Sequence, residues 1–378
     1  MSSNQKIYNP FILSGYVSEE YFCDRRAETE ALLEDLKNGR NVTMLSRRRM
    51  GKTALMYHLF RTLTKRNQYY HSMYVDLFPT QDLKGLTQSV LSGLLQEVGS
   101  DFNSWPRKLL DLVKSIGAAL SFDPVTGLPK VSFRFHRVEE AQRSLEAMFD
   151  YLSQDRKPWV IALDEIQQIS EYPQKGAEAY LRSLMQQHPE VRFLFAGSIH
   201  HLVWAMFTEQ GRPFYRSTRL LQLEPIDLAA YESFILHHFR SAGKQMDPEV
   251  PAHIYRLMKG QTYGVQLLCN RLFGQYVKVD VAAVEECVWD LLAEEQAVFS
   301  QIRQLITTTQ WKLLTAIAAE GVVTQPLASD FIRRYELKAA SSVQTALKAL
   351  LDKALIIQED GYEVQDVLLA EWLRRMFR

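Results

Sequence analysis

Two short runs carry the residues best able to do chemistry. Ser46-Arg47-Arg48-Arg49-Met50-Gly51-Lys52-Thr53 ends in a glycine, a lysine and a hydroxyl, and Asp164-Glu165 closes the apolar run Trp159–Leu163. The first run has the spacing of a phosphate-binding, or Walker A, loop. Backbone N–H groups at a helix start would wrap a phosphate, with Gly51 allowing close approach. Lys52 would reach the β- and γ-phosphates, and the Thr53 hydroxyl would take a Mg²⁺ position. Ser46 stands where the general pattern has its first glycine. The second run supplies what Walker B chemistry needs: Asp164 to hold Mg²⁺ and Glu165 to polarise the attacking water. Taken singly, these are a Gly-Lys-Thr at a helix start and an acidic strand end. In this order, 112 positions apart between Lys52 and Asp164, they predict one site for a nucleoside triphosphate. Ser198, after Phe195-Ala196-Gly197, is either a sensor of the γ-phosphate or water, or part of a plain strand-ending turn.

Positioning such residues requires a parallel sheet. Five short segments are nearly continuously apolar: Val42–Ser46, Ser72–Leu77, Trp159–Asp164, Val191–Gly197 and Leu220–Leu223. Strands buried on both faces read this way. Between them the apolar residues recur at helical spacing, as in Leu55, Met56, Leu59, Phe60 and Leu63, or Ala141, Leu145, Met148, Phe149 and Leu152. The alternation predicts a doubly wound α/β domain over 1–225. Residues 101–137 interrupt it as an insertion, with turn chemistry at Asp123–Pro129 and a short strand at Lys130–Phe135.

Beyond Ile226 the strand signals stop, and 226–306 reads as a helical domain with helices at Leu228–Ala242, Pro248–Met258, Tyr263–Tyr276 and Val281–Ile306. Residues 307–378 read as three short helices (Gln310–Ala319, Leu327–Tyr335, Ala339–Ala354), a hairpin (Leu355–Gln358 with Tyr362–Val364) and a closing helix, Val367–Phe377. That is the order of a winged helix.

Composition narrows the class. The 378 residues are 47% hydrophobic and 23% charged, and 44 basic side chains balance 44 acidic ones. A chain of this length exceeds one ordinary core. Zero net charge argues against a broad electrostatic nucleic-acid binder. Three scattered cysteines, Cys23, Cys269 and Cys287, form neither a disulfide framework nor a zinc spacing, so a cytoplasmic, reducing setting suits them. No apolar run is long enough to cross a bilayer, so no membrane partner is expected.

With these motifs in hand the chain resembles the archaeal-type ATPase family, a branch of the P-loop NTPases close to AAA+ proteins and to the signal-transduction ATPases with numerous domains. Asn9-Pro10-Phe11 and Tyr21-Phe22-Cys23-Asp24-Arg25 look like the family's adenine-side motif. Arg47–Thr53 is similar to its Arg-Arg-x-Gly-Lys-Thr loop, and Asp164–Ile169 to its Walker B extension. Phe195–Ser198 matches its sensor strand, and Pro213-Phe214-Tyr215-Arg216 resembles a further segment. Thr262 stands where many relatives have the proline of Gly-x-Pro. The resemblance implies an ASCE/AAA-like core with five parallel strands, a helical lid and a C-terminal winged helix. It implies ATP or ADP bound by Phe22, Arg25, Arg49, Met50, Gly51, Lys52, Thr53 and Ala54, and Mg²⁺ held by Thr53 and Asp164. It also implies hydrolysis involving Lys52, Glu165 and Ser198, with the nucleotide acting as a conformational switch. Related enzymes take an arginine from a neighbouring subunit; Arg212, Arg216 and Arg219 fall where it would lie, and Arg216 is the preferred candidate. A homo-oligomer or a protein partner is therefore expected.

Other readings are weaker. His200-His201 and His237-His238 are adjacent, so their side chains do not share a helix face, and they read as surface or interdomain residues rather than a metal site. No Gly-x-Ser-x-Gly elbow supports a serine hydrolase. No Asn/Thr-Lys-x-Asp motif is present, which favours adenine over guanine. A nucleotide-gated DNA-binding regulator is the main alternative, with Gln344, Thr345, Lys338, Lys348 and Lys353 on or beside the candidate recognition helix. Residues 305–378 carry nine basic and nine acidic side chains, no surplus for phosphates, and the helix's apolar positions suggest packing on the lid or on a protein. A third possibility is an adaptor that binds ATP without hydrolysing it.

Overall fold

The structure is a computed structural model and describes residues 8–66, 70–98, 106–117, 119–122, 129–132, 135 and 137–377. It divides into two compact units, residues 25–47 with 51–224 and residues 1–24, 48–50 and 225–378.

In the first unit the order is α1 (Arg26–Lys37), β1 (Val42–Leu45), α2 (Lys52–Lys65), β2 (His71–Asp76), α3 (Leu83–Val98) and α4 (Arg107–Ser115). A hairpin β3 (Ala119–Phe122)/β4 (Pro129–Ser132) follows, then α5 (Val138–Ser153), β5 (Trp159–Asp164), α6 (Ala177–Gln187), β6 (Arg192–Ala196), α7 (His200–Thr208) and β7 (Arg219–Gln222). Strands β1, β2, β5, β6 and β7 form one parallel sheet in the order β2-β5-β6-β1-β7. These are the five strands the apolar runs predict. Every residue of β1 and β5 is buried, as central parallel strands require. The helical faces are the expected ones too: Leu55, Met56, Leu59, Phe60 and Leu63 of α2 are all buried. The predicted insertion contains the antiparallel hairpin β3/β4. Residues 123–128 of its turn lie outside the described residues.

The second unit contains α8 (Leu228–Ser241), β8 (Gln245–Met246), α9 (Val250–Leu257), α10 (Thr262–Gln275), β9 (Lys278–Val279), α11 (Val281–Leu305) and α12 (Thr308–Glu320). It ends with α13 (Ser329–Arg334), α14 (Ala340–Asp352), the antiparallel pair β10 (Ile356–Gln358) and β11 (Tyr362–Val364), and α15 (Val367–Met376). Its helix starts are written in the sequence. Asp227, Asp280 and Asp366 accept from the first-turn N–H groups of α8, α11 and α15. Thr307 and Gln310 form a reciprocal capping box on α12.

Three expectations need correction. The strand signals do not stop at Ile226: β8 and β9 pair in parallel over two residues each, too short to leave a periodic pattern. Of the two alternatives for His238, surface or interdomain, the surface one is dropped: the residue is buried, stacked on Tyr21 and edge-on to Phe11 and Phe234, and burial followed by the neighbouring His237 lowers its pKa. The apolar positions of α14 are covered mainly by α12 rather than by the lid or a protein partner. Val343, Ala346, Leu347 and Leu350 are buried in the unit's own core, while Gln344, Thr345 and Lys348 are exposed. Among the described residues no helix is long and apolar enough to cross a membrane.

Candidate functional site

The site is assembled where β1 and β5 end. Beyond β1 the chain turns through Ser46–Gly51, and α2 begins at Lys52. Gly51 caps it at φ +88°, a conformation that a Cβ would strain. Lys52 and Thr53 therefore occupy the first turn, where backbone N–H groups lack partners within the helix and the dipole favours an anion. Lys52 is 7% exposed, and its ammonium donates to Ser46 Oγ (2.9 Å) and to the Arg47 carbonyl (3.2 Å). The serine in place of the usual glycine thus supplies the lysine with an acceptor.

At the end of β5, Asp164 is 5% exposed, and its Oδ2 accepts from Thr53 Oγ1 (2.6 Å) and from the Tyr74 hydroxyl (3.0 Å). Its other oxygen accepts from Glu165 N (3.0 Å). A hydroxyl and a carboxylate side by side are hard oxygen donors of the kind that suit Mg²⁺, which commonly takes only one or two carboxylates and completes its shell with water and phosphate. Glu165 has φ +57°, so the chain turns sharply after Asp164 into a 3₁₀ turn, Ile166–Glu171. Its Oε2 accepts from Ser198 N (3.1 Å), from Ser198 Oγ (2.8 Å) and from Gln167 Nε2. Ser198 follows β6, the strand beside β5.

Strand order adds residues that spacing does not reveal. β2 lies against β5 in the register Tyr74↔Ala162 and Asp76↔Asp164, bringing a phenol and a second carboxylate to the same end of the sheet. Burial first, then the adjacent Asp164, pushes the Tyr74 phenol well above its ordinary pKa. Partial desolvation also raises the exposed Asp76, assisted by the Asp164 and Glu165 charges and opposed by a hydrogen bond from Phe78 N. No sequence signal marks either residue, because nothing local states that β2 neighbours β5.

Ser46, Lys52, Thr53, Asp164, Glu165 and Ser198 are thus brought together in one unit. Arg25 belongs to the same unit but is buried elsewhere, paired with Glu28 (2.5 Å) and donating to the Glu224 carbonyl (2.7 Å). Ala54 continues the first turn of α2. Phe22, Arg49 and Met50 group with the second unit. There the Phe22 ring meets Tyr16, and Arg49 pairs with Asp366 (2.7 Å) and lies over the Tyr263 ring. The carbonyls of Arg49 and Met50 accept from Tyr263 N and Thr262 Oγ1 at the start of α10. The three candidate arginines differ. Arg212 pairs with Glu178 (2.6 Å) and donates to Ser170, and Arg219 pairs with Asp35. Arg216 is exposed, has φ +51°, and makes its side-chain contact with the Tyr215 ring.

A parallel sheet in this order, with a lysine-bearing loop after its first strand, defines the P-loop ATPase fold. The comparisons with known proteins agree. Residues 22–268 match the ATPase domain found predominantly in Archaea, well over half the chain, and the protein belongs to that family. Residues 297–375 match a probable winged helix domain. A Walker-type ATPase of Pyrococcus abyssi has a similar structure, with a TM-score of 0.65 at 18% identity over 97% of this chain and 99% of that one. The ORC2 protein of Aeropyrum pernix in its ADP form gives 0.53 at 16% identity over 97% and 95%. These identities speak for the fold alone. No curated protein sequence matches.

Proposed function

We propose that the protein binds ATP and hydrolyses it with Mg²⁺. The observation that carries this reading is the hydrogen bond between Thr53 and Asp164, which joins the start of α2 to the end of β5 beside Lys52 and Glu165. ATP and ADP are the ligands of choice by family. The Aeropyrum ORC2 protein, similar in fold, is recorded with ADPNP and ADP. Thr53 and Asp164 would hold the metal, which supplies charge neutralisation at the phosphate oxygens. Lys52 would exchange its contacts with Ser46 and Arg47 for phosphate oxygens, offsetting their negative charge. Glu165 would accept a proton from the attacking water, and Ser198 would hold the carboxylate in place for it. Arg216 is the candidate to act on the site of a second copy of the chain, since Arg212 and Arg219 are engaged by carboxylates. The hydrolysis cycle would drive a two-state conformational switch.

The test is phosphate release from Mg²⁺-ATP by the wild type, Lys52→Ala and Glu165→Gln. The expected result is turnover lost in both variants, by about a hundredfold or more for Glu165→Gln, with ATP binding retained there. A wild type that binds ATP without turnover would leave the adaptor reading. No nucleotide binding at all would end the proposal.

A second reading, nucleotide-gated DNA binding, gains from one observation: the polar face of α14 is exposed rather than packed. It requires duplex binding that weakens steeply with salt and with Lys348→Ala. Salt-insensitive or absent binding removes it.

A further inference from the structure

The Glu165 carboxylate is not symmetrically placed. All three of its side-chain hydrogen bonds fall on Oε2, two from Ser198 and one from Gln167. Among the described residues nothing donates to Oε1. Gln167 is itself 6% exposed, held in the turn that follows the strained Glu165 backbone. Its amide nitrogen faces the carboxylate, the only orientation that avoids placing two oxygens against each other. The amide oxygen is left buried with no partner. That oxygen lies against Gly197, where a Cβ would come within 2.0 Å of it and within 2.5 Å of Val203 Cγ2. Burying an unpaired carbonyl is unfavourable. Here it accompanies a donor directed at the one carboxylate whose orientation matters for water activation.

We propose that Gln167 is a positioning residue for Glu165: with Ser198 it saturates Oε2 and thereby presents Oε1 to the water. Gly197 is the glycine that makes room for this amide. The inference rests on the ATPase reading above and deepens it. Gln167 does not touch the nucleotide; it acts through Glu165, and ATP binding does not depend on it.

The experiment measures kcat, ATP affinity and thermal stability separately for Gln167→Met, which keeps the length and loses the amide, and for Gln167→Asn, which keeps the amide and loses the reach. Both are made in the wild type and in Glu165→Gln. The expected result is a fall in kcat of about tenfold or more in the wild-type background, a modest part of the full general-base effect, with ATP affinity within about twofold. In the Glu165→Gln background the same changes cause no further loss, because the group they orient is gone. Gly197→Ala, which presses the amide from the other side, reproduces the kcat defect. Wild-type kcat in folded Gln167→Met and Gln167→Asn overturns the proposal while leaving the ATPase reading intact. So does an equal further loss in Glu165→Gln, which would mark a general structural role. Full activity of Glu165→Gln itself would sink both readings together.

Discussion

The end of β5 and the segment leading into β7 present opposite solutions to holding charged side chains. At β5 one carboxylate is buried, the next half-buried, and both are tied to neighbours. Asp164 accepts from Thr53, Tyr74 and the Glu165 backbone, and Glu165 accepts from Ser198 and Gln167. Into the start of β7, three arginines occur within eight residues, and two of them are engaged by Glu178 and Asp35. Arg216 is left exposed against a tyrosine ring. The difference teaches which groups are prepared before a ligand arrives. A site that stabilises developing charge gains from groups fixed in advance, whereas a residue that serves another molecule has to be accessible.

The contrast can be broken or sharpened by substitution. Beyond the loss expected for Glu165→Gln, the largest effect is expected at Arg216. If it serves a second copy of the chain, the wild-type rate per subunit rises with protein concentration, and Arg216→Ala lowers turnover by at least about tenfold at the high end of that rise. An unchanged Arg216→Ala rate at every concentration would remove Arg216 from the site. Arg212→Ala should act on stability instead. It leaves Glu178 without its cation, a loss of about 1 kcal/mol after allowance for solvent at the partly exposed arginine, which lowers Tm by about 2–4 °C with turnover per folded molecule unchanged. Loss of turnover without a Tm change would reverse the roles assigned to the two arginines.

The smallest effect is expected at the exposed Asp76, whose carboxyl is raised by partial desolvation and by the Asp164 and Glu165 charges. A carboxyl with a higher pKa in the folded state holds its proton there more tightly than in the unfolded chain. Its contribution to stability therefore falls as pH rises through that range. Asp76→Asn should be slightly more stable than the wild type at neutral pH, and equal to it at a pH low enough to protonate the carboxyl in both states. Thermal melts at the two pH values decide this, and a difference of the opposite sign would show that Asp76 is held by attraction rather than by crowding.

Much of this was legible in the residues. The strands β1, β2, β5, β6 and β7, the helical faces of α2 and α5, and the winged-helix order all follow from local apolar spacing and turn chemistry. Ser198 is instructive in the other direction: spacing left two readings open, and its two hydrogen bonds to Glu165 are visible only once β6 is known to lie beside β5. The α14 helix shows the same limit, since its apolar stripe states that a face is buried without stating against what.

What the sequence by itself determined, then, is the set of elements and the chemical identity of the groups at their ends: a glycine that can turn, a lysine at a helix start, two acids closing an apolar strand. Those are short-range properties, set within a few residues by steric allowance and periodicity. Tertiary structure decided the strand order, and with it the arrival of Tyr74 and Asp76 beside Asp164, the insertion of Gln167 against Gly197, and which arginine has no carboxylate partner among the described residues. These depend on contacts between residues tens to more than a hundred positions apart, which cooperative packing of the whole core selects and no local pattern encodes.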